Sequence, residues 1–223
     1  PRPISSAASD VYKRQVYDGV MCLGVCDKIV PGLVMGALQF GHLPVMFVPA
    51  GPMPSGIPNK EKALARQKFA AGEIDKAKLL ESESASYHSA GTCTFYGTAN
   101  TNQTLMEAMG LQLAGTSFVN PGTLLRTELT KESVRRLLDQ TTKGANYRPM
   151  ADVVTEQSVV NAIVMMMTTG GSTNLTLHLI AMAAAAGIQI TWEDQIRGEI
   201  KWKGKDLGGD LVLSRRAKGY EIG

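Results

Sequence analysis

Two short apolar runs, residues 20–25 and 43–48, with a helix-like segment between them, constrain the fold more than anything else in the chain. The first is bounded by Asp18-Gly19 and by Cys26-Asp27-Lys28, and its length and continuity fit a buried strand. Pro31 suits the first turn of a helix through Gln39, with Gly41 as its stop. The second run predicts another buried strand, ending in the Gly/Pro-rich loop 49–58. Asn59 can cap a helix through Ala71, ended by Gly72, and Asp75 can cap another to about Ser86. Both carry charge over much of their surface and are expected outside.

The same alternation continues. A loop over 88–102 leads into a helix ending at Gly110, and residues 130–140 and 156–168 read as helices. Met165, Met166 and Met167 in the second of these are read as core. Ser172 or Thr173 caps a helix through Ala186, stopped by Gly187, and residues 188–192 form an expected strand. Strands separated by helices predict an α/β fold with a largely parallel sheet, as a single main domain over 16–194. Ligands collect beyond the carboxyl ends of such strands, and Cys26 sits at that kind of place.

Composition excludes several classes. A chain of 223 residues with 44% hydrophobic content buries a real core, yet no apolar run approaches the roughly 20 residues that span a bilayer. The net charge of +3 includes +2 from residues 1–15, through Arg2, Lys13 and Arg14 against Asp10. No Lys/Arg stripe with interleaved aromatics appears, so no nucleic-acid partner and no membrane are expected. Three cysteines do not form a disulfide framework, which fits a reducing, cytoplasmic setting.

Two of those cysteines lie in polar segments. Cys26 is followed by Asp27 and Lys28, and Cys93 lies within Gly91-Thr92-Cys93-Thr94-Phe95-Tyr96-Gly97-Thr98-Ala99-Asn100. Thiols so placed suit a soft metal centre assembled by the fold, or else inert cysteines. Cys22, inside the first strand, reads as core packing. Asp27 and Lys28 form either a metal site or a surface ion pair. The run 169–174 is either a helix–helix turn or an anion site built from N–H groups at a helix start. His88 either faces the Cys93 region or is structural, and His42 and His178 read as structural.

The chain resembles the dihydroxy-acid and sugar-acid dehydratase family over roughly residues 16–194. The resemblance runs through Tyr17-Asp18-Gly19, Leu23-Gly24-Val25-Cys26-Asp27-Lys28-Ile29-Val30-Pro31-Gly32, Phe47-Val48-Pro49 and Gly51-Pro52-Met53. It continues through Asn59-Lys60-Glu61-Lys62, Leu80-Glu81-Ser82-Glu83, Tyr87-His88, residues 91–103 and Thr169-Gly170-Gly171-Ser172-Thr173-Asn174. The run from Gly91 to Asn100 is similar to the phosphogluconate branch. The dihydroxy-acid branch usually has a second cysteine just after Cys93, and this chain has none there.

That resemblance implies a hydro-lyase of the Entner–Doudoroff route, taking 6-phosphogluconate, a sugar-acid phosphate, to 2-keto-3-deoxy-6-phosphogluconate. The alternatives are a dehydratase of another sugar acid or of branched-chain dihydroxy acids, or a non-catalytic metal- or anion-binding module. It implies an iron–sulfur cluster, 4Fe-4S rather than 2Fe-2S, with Cys26 and Cys93 as two of its ligands. It implies a divalent ion such as magnesium at Asp27 and Lys28, the lysine carbamylated, because an unmodified ammonium does not bind a cation. Substrate contacts fall to His88, Ser172, Thr173 and Asn174, and the complete enzyme is expected to be a homodimer. The third cluster cysteine, a further metal-binding acid and the C-terminal domain with the catalytic base have no match here, so an incomplete chain, inactive alone, is expected. Residues 1–15 read as a non-native leader, and residues 195–223 depart from the family pattern as a divergent tail.

Overall fold

The computed structural model describes residues 17–191 apart from 55, 87, 88 and 95. The expectations for the leader, the tail, His88 and Trp192 lie outside the described residues.

Two strands, β1 (Val20–Gly24) and β2 (Val45–Pro49), pair in parallel, with Cys22 opposite Phe47 and Gly24 opposite Pro49. Helix α1 (Ile29–Leu38) makes the crossover between them, and Pro31 lies in its first turn. The described residues thus bear out an α/β arrangement built on parallel pairing.

Every residue of β2 is buried, as a parallel strand covered on both faces requires. On its outer side Phe47 N–H donates to Leu111 O at 2.8 Å, so residues 111–112 run beside it. Strand β1 differs from the expected fully buried strand: Cys22 is buried, but Leu23 is 67% exposed. The cause is position, since β2 is the one strand paired with β1 among the described residues.

The remaining elements are helical. They are α2 (Asn59–Ala70), α3 (Lys76–Ser86), α4 (Thr98–Ala108), α5 (Leu124–Asp139), α6 (Met150–Val153), α7 (Glu156–Thr168) and α8 (Thr173–Ala185). As expected, α2 and α3 stay outside: α2 buries nothing and α3 buries only Ser86. They pack on each other around an apolar groove that includes Leu64, Ile74 and Ala85. Asp75 accepts from Lys78 N–H at 2.8 Å, the expected cap. Asn59 does not cap; Pro58, in an extended conformation, precedes the helix and Asn59 is its first residue.

The core lies between the sheet and α1, α4, α7 and α8, around Val34, Leu105, Ile163, Met166, Leu175 and Leu179. Met166 is buried there, and Met165 and Met167 pack partly against it, as read from the sequence. Helix α7 has the expected bounds, opened by a reciprocal cap in which Thr155 and Ser158 each accept the other's backbone N–H.

Three expectations fail. Helix α4 starts at Thr98 inside the expected loop, and α5 starts at Leu124, where the Thr123 hydroxyl accepts from Arg126 N–H at 3.2 Å. Residues 188–191 form no strand; Ile188 and Ile190 are buried against the helices without a ladder partner among the described residues. At α4 and at residues 188–191 burial against neighbouring segments outweighs local pattern, whereas the start of α5 is set by the Thr123 cap.

Candidate functional site

Helix α4 is the organiser. Its residues Asn100 to Met106 are buried without a break, and the first five are polar. A polar stretch enters a core only where its donors and acceptors are met, and here they are met by loops from elsewhere in the chain.

Four loops converge on it. Asn100 Nδ2 donates to the Cys93 carbonyl at 2.8 Å, while Asn100 Oδ1 accepts from Thr92 Oγ1 at 2.6 Å and from Gln103 Nε2 at 3.3 Å. Gln103 Oε1 takes Gly51 N–H at 2.8 Å, joining the loop after β2 to the same network. Asn102 Nδ2 donates to the Asp27 carbonyl at 2.8 Å, fastening the turn after β1. On the 169–174 loop, Ser172 N–H donates to Thr101 Oγ1 at 3.2 Å. Thr98 Oγ1 and Ser172 Oγ lie 2.6 Å apart. The starts of α4 and α8 therefore meet.

The loop holding Cys93 is registered on its other side by the backbone. Thr92 N–H donates to Gly51 O, and Met53 N–H donates to Thr92 O, each at 2.9 Å. Arg126 closes the back of this region. Its guanidinium is buried and donates to Val119 O at 2.7 Å and Thr116 O at 2.5 Å, and burial lowers its pKa. Among the described residues it enters no ion pair, and backbone carbonyls take its donors.

The sequence-predicted residues are distributed as follows. Cys26 is exposed and its thiol donates to Asp27 Oδ1 at 3.4 Å; Asp27 is half-buried and Lys28 exposed at the start of α1. Asp27 and Lys28 form no ion pair with each other. Cys93 is half-buried in the anchored loop. Ser172 caps α8 by accepting Asn174 N–H at 3.3 Å, and Asn174 Nδ2 reaches Thr98 Oγ1 at 3.4 Å. Thr173 is the exposed first residue of α8. Among the described residues, no three His, Cys, Asp or Glu side chains gather closely enough to hold a metal ion. Sequence reasoning passed over Asn100, Asn102, Gln103 and Arg126. The available signal was an Asn-Thr-Asn-Gln-Thr run directly before the apolar Leu105 and Met106.

Cys22 is core, as read: it is 5% exposed, and burial pushes its thiol up to about 11. The raised value means that this thiol's contribution to stability is full below its ordinary range and is lost as pH rises through about 11. At pH 8, iodoacetamide is expected to modify Cys26 and Cys93 and to spare Cys22 until urea unfolds the chain. Mass spectrometry of the labelled peptides checks this, and labelling of native Cys22 at the rate of Cys26 counts against the burial.

Comparison with known proteins gives the family. The family described as dihydroxy-acid/6-phosphogluconate dehydratase N-terminal matches residues 3–200. A phosphogluconate dehydratase of Pseudomonas aeruginosa is 59% identical over 191 residues, covering 86% of this chain and 31% of the relative. One from Escherichia coli K12 is 56% identical over 191 residues, covering 86% and 32%. A dihydroxy-acid dehydratase of a Sulfurovum species is 35% identical over 201 residues, covering 86% and 36%. The chain spans about a third of the length of the curated relatives it matches. On the match across residues 3–200, it belongs to the dihydroxy-acid/6-phosphogluconate dehydratase family, in that family's N-terminal domain.

Proposed function

We propose that this chain is the N-terminal part of a hydro-lyase that dehydrates 6-phosphogluconate to 2-keto-3-deoxy-6-phosphogluconate in the Entner–Doudoroff route. The observation that carries the reading is the gap between 59% identity to a relative named phosphogluconate dehydratase and 35% to one named dihydroxy-acid dehydratase.

The reaction removes a weakly acidic C2 proton and a poor leaving group, the C3 hydroxyl. An iron–sulfur cluster with one iron free of thiolate supplies a Lewis acid for that hydroxyl. The residues here fit part of such a site. Cys26, exposed, and Cys93, half-buried, are free thiols available as two of three cluster ligands, and 4Fe-4S is assigned on the family resemblance. Asp27 and, if carbamylated, Lys28 would supply oxygen ligands for a magnesium ion, which would offset the charge of the substrate carboxylate. The buried, unpartnered Asn102 Oδ1 beside that turn supports a site completed by a bound group.

The meeting helix starts would receive an anionic end of the substrate. N–H groups at the starts of α4 and α8 carry partial positive charge, and Ser172 and Asn174 stand there with their polar atoms. Thr173 adds a hydroxyl on the exposed side, and His88 is assigned to the same substrate end on the family resemblance alone. The complete enzyme is assigned to the cytoplasm, which suits three free thiols, and to a homodimer.

A complete dehydratase carrying this sequence, purified and assayed without oxygen, is expected to form 2-keto-3-deoxy-6-phosphogluconate from 6-phosphogluconate and to lose activity in air. The 223-residue chain alone is expected to be inactive after iron and sulfide reconstitution. Turnover of 2,3-dihydroxyisovalerate but not 6-phosphogluconate would move the assignment to the dihydroxy-acid branch.

A further inference from the structure

Helix α4 grips both cysteine-bearing segments through two carboxamides two residues apart. Asn100 holds the Cys93 carbonyl and Asn102 holds the Asp27 carbonyl, each at 2.8 Å. Residues two apart on an α-helix point about 200° apart, so one short stretch reaches two different loops. The two amides are not equivalent. Asn100 Oδ1 is braced by Thr92 and Gln103, whereas Asn102 Oδ1 is buried with no hydrogen-bond partner among the described residues.

Packing alone does not account for Asn102. It is fully buried, and a leucine would fill a similar volume with no polar atom left over. Leucine cannot, however, donate to the Asp27 peptide, whose own side chain accepts the Cys26 thiol at 3.4 Å. One bond from Asn102 therefore orients a turn that carries a thiol, a carboxylate and an amine in succession.

We propose that Asn102 is a positioning residue for the Cys26-Asp27-Lys28 turn, fixing the Asp27 peptide so that this turn is preset for a divalent cation. Its free carboxamide oxygen is the acceptor for a donor that enters with that cation. Magnesium retains several waters when it binds to proteins, and each is a hydrogen-bond donor. This inference rests on the proposed magnesium role of Asp27 and Lys28.

The test is a magnesium titration by calorimetry on the complete, cluster-loaded dehydratase, unaltered and as Asn102→Leu and Asn102→Ala. Both variants are expected to bind magnesium about tenfold or more weakly, the range seen when outer-shell partners of metal ligands are removed. Iron content is measured on the same preparations, so that only equally cluster-loaded samples are compared. A role in packing predicts something else: Leu, which fills the space, keeps the affinity, and only Ala loses stability. Asn102→Ala decides the matter if the leucine variant fails to fold. Magnesium affinity equal to the unaltered enzyme's in a folded variant of either kind overturns the positioning role. An unaltered enzyme that binds no magnesium overturns that role and the proposed cation site together, so the two failures are distinguishable.

Discussion

Gly51→Ala is expected to destabilise the chain by about 4 kcal/mol, the sum of a strained backbone and an overpacked contact. Gly51 has φ +75°, and a Cβ there would run into the Val119 carbonyl and lie 3.1 Å from Arg126 Nη2. Neither neighbour yields easily, because Arg126 holds the Val119 carbonyl with both Nε and Nη2. Gly91, across the Thr92 bridge, repeats the situation: φ is +125°, and a Cβ would stand 2.5 Å from Met53 N and 2.9 Å from Gly51 O. Close backbone approach at these two glycines is what lets the Cys93 loop dock beside β2. Gly32→Ala is the control, because that glycine is inside α1 with nothing within 4 Å of a new Cβ. Alanine there is expected to be neutral or to stabilise by about 0.5–1 kcal/mol. Urea denaturation of the two variants measures both effects, and a Gly51→Ala loss below about 1 kcal/mol would refute the docking argument.

On the proposed function, in which both residues are direct ligands, Asp27→Asn and Lys28→Arg are expected to weaken magnesium binding by more than the roughly 10–100-fold typical of outer-shell changes. Turnover of the complete enzyme should fall with it. Asn keeps the shape of Asp27 and removes its charge. Arg keeps the charge of Lys28 and cannot be carbamylated. If Lys28 served an ion pair, Arg would replace it at no loss, since its fork pairs with carboxylates at least as well. Calorimetric titration and 6-phosphogluconate turnover on the same preparations decide it. A Lys28→Arg enzyme with most of its activity leaves Lys28 a structural residue.

Local patterning was enough wherever the determinant lies within a few residues. The apolar runs of β1 and β2, Pro31 in the first turn of α1, Asp75 before α3 and Ser172 before α8 are all recognisable from neighbours in the chain. Cys22 could be assigned to the core for the same reason, because it lies inside an apolar run. The cysteine segments were recognisable because Asp27-Lys28 and the polar run around Cys93 are unusual in composition.

What joins those segments was not visible in this way. Residues 98–102 look like a loop because Thr and Asn favour turns, yet they form a buried helix once Cys93, Gly51, Asp27 and Ser172 supply partners up to 75 residues away. Residues 188–191 show the reverse: their alternation suggests a strand, but a strand requires a ladder partner and helix packing claims Ile188 and Ile190 instead. Secondary structure near a cap or an apolar run is set by short-range sterics and hydrogen bonds. The polar centre on α4 is set by desolvation, which makes every buried amide find its partner across the fold and so depends on contacts that no local pattern contains.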